Sequence, residues 1–147
     1  MSSMPTQTRG KLIGIRIIWL AMLMGEVGFM AVIAVLIGNQ SVQAEAELAR
    51  LMLLISTGML LTLVPLGYFI RSQIYKRHWV GDAVTAQGYV TGNIVLLALC
   101  EASAFAGLLG CMFGGSFWPG AVPVVLAMIV QVINYPTGSA MYNSALS

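Results

Sequence analysis

Glu26 and Glu101 stand in the middle of long apolar runs, WLAMLMGEVGFMAVIAVLIG and NIVLLALCEASAFAGLLGCMFGG, and they are two of only five acidic residues in the chain. A carboxylate surrounded by hydrocarbon must be neutralised by a proton, paired, or placed in a wet cavity. Ionisable groups at such depth are therefore functional candidates by default, and the chemistry they offer is the binding or passage of a proton or other ion.

Helical spacing sets what each carboxylate would meet. Around Glu26 the positions three, four and seven away are Trp19, Met22, Leu23, Phe29, Met30 and Ile33; around Glu101 they are Ile94, Leu97, Ala98, Ala104, Phe105 and Leu108. Neither glutamate has a charged partner on its own helix. Two carboxylates that approach each other titrate as a coupled pair, sharing a proton. The polar residues that could support them are Thr62, Ser103, Gln131, Asn134 and Tyr135. Hydroxyls in apolar helices commonly bond back to their own backbone, which is the competing reading for Thr62 and Ser103, as it is for Ser56 and Thr57. Gln131 and Asn134 are more expensive to bury, so each needs an interhelical bond or a role in the site.

Other chemistry finds no foothold. Cys100 and Cys111 lie about 16 Å apart along one helix, too far to pair with each other, and read as small packing residues. The lone His78, in QIYKRHW, has no metal-ligand spacing around it and reads as part of a basic loop at the lipid headgroups. No phosphate-binding glycine loop, nucleophile motif or cofactor signature is visible, and nothing points to nucleic acid.

The elements that must position the carboxylates follow from composition. With 147 residues, 59% hydrophobic and 8% charged, and a mean hydropathy of +0.88, the chain reads as one integral membrane domain over residues 1–147. Four spans are predicted at about 17–38, 51–70, 89–113 and 118–135, the first three comfortably long enough for a ~30 Å hydrocarbon core and the fourth just sufficient. The first run follows Arg9, Lys11 and Arg16 but is longer than a signal-peptide core, with no Ala-x-Ala-type cleavage site after it, so it reads as a retained helix. Pro65 is expected to kink the second span. Lys and Arg collect before span one and between spans two and three, which puts both termini in the cytoplasm and suits a multi-pass protein of a bacterial inner (plasma) membrane. Glu26 and Glu101 then lie level, roughly 15 to 18 Å into helices that enter from the same side.

Aligning the two glutamates pairs LAMLMGEVGFMAVIAVLIG with VLLALCEASAFAGLLGCMFGG, with small residues beside each Glu and a glycine-ended apolar tail. The expected fold is an all-α, four-helix membrane bundle, with duplicated helical hairpins as one way to build it. Ser103, Gly107 and Cys111 form a small-residue stripe that would let another helix come close.

The run Glu101-Ala102-Ser103-Ala104-Phe105-Ala106-Gly107-Leu108, preceded by LLALC, resembles the carboxylate helix of the rotary ATPase proteolipids, the c subunits of F-type and V-type enzymes. The resemblance covers about one span of the four. It implies an ion-binding role for Glu101 alone, with Ala102 similar to proton-type members. The chain departs from that family in lacking its glycine-rich first helix and its R-Q-P loop, and in the orientation that its charges imply. The whole arrangement also resembles small four-span bacterial membrane proteins, a group that implies no activity. Three functions follow as expectations: a bundle that binds or conducts protons through Glu26 and Glu101; a non-catalytic assembly subunit whose glutamates meet another membrane protein or a second copy; and, least supported, a membrane enzyme or quinone-binding protein using the carboxylates and Tyr135.

Overall fold

Backbone groups in lipid must satisfy one another, and a chain this apolar does so by forming helices. The computed structural model describes residues 6–39 and 45–141. Its helices are α1 (Thr6–Gly38), α2 (Ala46–Arg77), α3 (Ala86–Gly114) and α4 (Ala121–Ile133), with a small hairpin of β1 (Trp79–Val80) and β2 (Ala83–Val84) between α2 and α3 and a 3-10 turn at Ser139–Met141. The structure is thus all-α in its main elements, four helices packed together, of which α1, α2 and α3 are long and apolar enough to cross a membrane. The first two helices run several turns past the predicted spans at the end of the molecule that carries Arg9, Arg71 and Lys76. The predicted connection between them falls partly on residues 40–44, outside the described residues.

The fourth span is a correction. α4 has 13 residues, which at 1.5 Å per residue reaches about 20 Å against a ~30 Å hydrocarbon core. Pro136 disfavours helix at the residue before it, and the helix ends at Ile133. The chain then continues in irregular form, Asn134 to Gly138, back to the first turns of α1 and α3. There Arg16 donates from Nε to the Pro136 carbonyl at 3.1 Å, and the Gly138 N–H donates to the Tyr89 hydroxyl at 2.9 Å. The fourth segment is half helix and half strap.

Packing is uneven. α2 and α3 lie against each other along most of their length, α3 also receives α1 and α4, and α1 hardly touches α2. This is not the arrangement of two equivalent hairpins, α1–α2 and α3–α4. Glycines explain the close α2–α3 approach: Gly92 faces the Tyr75 ring and Gly110 faces Met52, so a larger side chain would hold the helices apart. On another side of α3, Gly107 admits Val124 and Gly120, so part of the small-residue stripe is indeed where α4 docks. α3 begins at Thr85, whose hydroxyl accepts the Gly88 N–H, and ends at Gly115, which takes the left-handed conformation with φ 57°. Pro65 sits within α2 without ending it.

Two apolar clusters hold the bundle together. One joins Leu12, Ile15, Val84, Tyr89, Leu97 and Met141; the other joins Ile33, Ala104, Leu108, Cys111, Val124 and Ala127. Along α1 the inward positions recur at steps of three and four, from Leu12 and Ile15 through Trp19 and Met22 to Phe29 and Ile33. The inward position missing from both clusters is residue 26.

Candidate functional site: a carboxyl–carboxamide pair between two apolar clusters

Glu26 is completely buried, at 0% exposure, in the gap between the clusters. Its place in the 3–4 repeat of α1 turns it inward, and α4 supplies its partner: Gln131, also at 0% exposure, donates from Nε2 to Glu26 Oε1. The pair is positioned from outside as well. Trp19, two turns before Glu26 on α1, donates its indole N–H to the Gln131 backbone carbonyl at 2.8 Å. The Trp19 ring meets Tyr135 edge-on, centroids 5.1 Å apart, and the Arg16 guanidinium lies over the Tyr135 ring at 5.4 Å. Glu26 Oε2 and Gln131 Oε1 are buried with no hydrogen-bond partner among the described residues.

The two glutamates do not share one environment. Glu101 is half-buried, and no hydrogen bond reaches it from the described residues. It is flanked on α3 by the exposed Ala98 and Phe105, and Phe105 packs edge-on against Phe29 of α1 with centroids 5.5 Å apart. Glu101 thus marks the rim of the α1–α3 seam and Glu26 its interior.

The supporting residues separate in the same way. Thr62 donates to the Gly58 carbonyl at 2.7 Å and Ser103 to the Leu99 carbonyl at 3.1 Å, each within its own helix. Asn134 is spent elsewhere, accepting from Arg71 Nη1 at 2.9 Å and donating to the Tyr68 hydroxyl and the Val130 carbonyl. Of the residues singled out, the structure brings Gln131 to Glu26 and places Tyr135 behind it, through Trp19. His78 sits in the turn between α2 and the hairpin, where its Nδ1 lies 3.0 Å from the Ile74 carbonyl and its Cβ packs where Gly88 leaves room.

A second polar system was missed. At the basic end Arg71 donates from Nε to the Tyr75 hydroxyl at 3.1 Å, Asn93 Nδ2 reaches that hydroxyl at 2.8 Å and the Tyr89 carbonyl at 2.7 Å, and the Tyr75 and Tyr89 rings stack with centroids 5.8 Å apart. Among its members only Arg71 carries a reading from sequence, as a topology charge. Asn93, an amide near the start of a span and four residues after Tyr89, was the signal available.

No family model, curated protein or solved structure matches this chain.

Proposed function

We propose that this multi-pass membrane protein binds a proton at the Glu26 carboxyl group, with Gln131 as its hydrogen-bond partner and Glu101 as the carboxylate at the rim through which the proton exchanges. The observation that carries the reading is the match between the two orphaned atoms. Among the described residues Glu26 Oε2 lacks a partner and Gln131 Oε1 lacks a donor. A proton on Oε2 makes it the donor that Gln131 Oε1 needs, closing a two-bond acid–amide pair with the Nε2 to Oε1 bond already present. Each unsatisfied buried polar atom costs about 1–3 kcal/mol, so one proton relieves two such costs. A hard metal cation suits the site less well, since Ca²⁺ or Mg²⁺ gathers about six oxygens and the pair offers two. The proteolipid resemblance around Glu101 is compatible with the same chemistry at the neighbouring carboxylate.

Infrared spectra of the full chain in lipid nanodiscs test this reading. A hydrogen-bonded carboxylic-acid C=O band, sensitive to deuterium, is expected in the wild type and in Glu101→Gln. It should vanish in Glu26→Gln and shift in Gln131→Leu. A band that survives Glu26→Gln, or no such band at any pH at which the protein folds, sinks the proposal.

One observation favours the assembly reading for Glu101. It is half-buried with no hydrogen bond from the described residues, which is how a contact awaiting a donor on another membrane helix would look. Under that reading Glu101→Gln lowers co-purification of a partner chain or of a second copy and leaves the infrared band in place.

A further inference from the structure

At the basic end, one face of α2 carries Tyr68, Arg71, Ser72, Tyr75 and Lys76 at helical spacing, and with Trp79 of the hairpin these residues line a surface cleft of ≈ 370 Å³. We propose that this cleft binds the phosphate of an anionic phospholipid. Its lining residues offer donors and no carboxylate. The Arg71 guanidinium is held by the Tyr75 hydroxyl and Asn134 Oδ1 and stacks over the Tyr75 ring at 5.1 Å, so its direction is fixed before any ligand arrives. Those two bonds use Nε and Nη1, which leaves the Nη2 hydrogens to a ligand. Ser72 and Lys76 are exposed and have no hydrogen-bond partner among the described residues. Tyr68 accepts from Asn134, which frees its own hydroxyl proton to donate. A phosphate group placed in the cleft would meet guanidinium, ammonium and hydroxyl donors together, the pattern that charge-assisted phosphate binding requires.

The occupant is a lipid rather than a free anion because of what continues the same face. One and two turns earlier on α2, Pro65 and Leu61 are exposed, Leu61 at 69%, so a headgroup in the cleft would lay its acyl chains along an apolar strip. Tyr68 and Trp79 mark the height at which aromatic side chains settle between hydrocarbon and water. Arg77 adds charge next to the cleft, and the whole end is rich in cations, which suits an anionic leaflet.

Native mass spectrometry of the full chain released from nanodiscs of equal phosphatidylglycerol and phosphatidylcholine reads the site directly. The wild type should retain phosphatidylglycerol preferentially. A Ser72→Ala/Lys76→Gln variant, which touches no internal bond, should lose about fivefold of that preference for the charge removed, and Arg71→Gln should lose more. Arg50→Gln, at the other end of the molecule, should change nothing. Equal retention of both lipids, or equal retention by the wild type and the Ser72→Ala/Lys76→Gln variant, overturns the proposal. A final arm adds inorganic phosphate at millimolar concentration. Retention of phosphatidylglycerol should persist, whereas its displacement would make the ligand a free phosphate and overturn the lipid assignment.

Discussion

Trp19 donates its indole N–H to the backbone carbonyl of Gln131 at 2.8 Å, tying the last turn of α4 to α1 two turns away from the carboxylate that the Gln131 side chain meets. One residue of α4 is thus gripped at both its backbone and its side chain by the same neighbouring helix. α1 and α4 share little other contact, so the registration of the carboxyl–carboxamide pair depends on this bond.

Trp19→Phe keeps a smaller aromatic ring against Tyr135 and removes the donor. It should cost about 1 kcal/mol, the net value of a typical hydrogen bond. Unfolding in a denaturing detergent series measures it, and unchanged stability would show that the indole N–H does not hold α4.

Gln131→Leu strands the Glu26 carboxyl without its donor and should destabilise the fold by about 1–3 kcal/mol. Adding Glu26→Leu should restore most of that loss, because removing both partners of a buried polar pair is far less harmful than removing one. A double mutant no more stable than Gln131→Leu would mean that Gln131 supports the bundle by packing rather than by bonding to Glu26.

Gly107 and Gly58 make a matched pair of tests. A Cβ at Gly107 would stand 2.7 Å from Val124 Cγ2 and 3.1 Å from the Gly120 carbonyl oxygen, whereas one at Gly58 meets nothing within 4 Å. Gly107→Ala should push α4 off α3 and cost about 1–3 kcal/mol. Gly58→Ala should be neutral or stabilising by up to about 1 kcal/mol. Equal melting temperatures for the two variants would contradict the close α3–α4 approach.

Tyr89→Phe removes the acceptor for the Gly138 N–H, a buried bond that holds the strap to α3. Hydrogen exchange at the Gly138 amide should accelerate at least tenfold while α2 and α3 stay protected, since the ring still stacks on Tyr75. Uniform acceleration across the bundle would mean that the strap is not a separate unit.

Three apolar helices and the cost of burying Glu26 and Gln131 are legible because burial cost and helix length act within one segment. What joins segments was less so. Gln131 was marked as costly to bury, yet nothing in its own neighbourhood names Glu26, 105 residues away, as the group it meets. Counting apolar residues through Asn134 and Tyr135 overestimates α4, although Pro136 carries the signal to stop. From sequence, Arg16 and Arg71 read only as topology charges. Their bonds to the strap and to Asn134 depend on the chain turning back after α4, a tertiary event with no local periodicity to announce it.

The thin contact between α1 and its immediate successor bears on how the protein is made. α1 leaves the ribosome before α2 and α3, packs hardly at all on α2, and finds its main surface only when α3 has been synthesised. During that interval Glu26 has neither the seam nor Gln131. The insertion machinery must therefore admit to the bilayer a helix with a bare carboxyl group at its middle, or retain that helix beside the exit channel until residue 131 emerges.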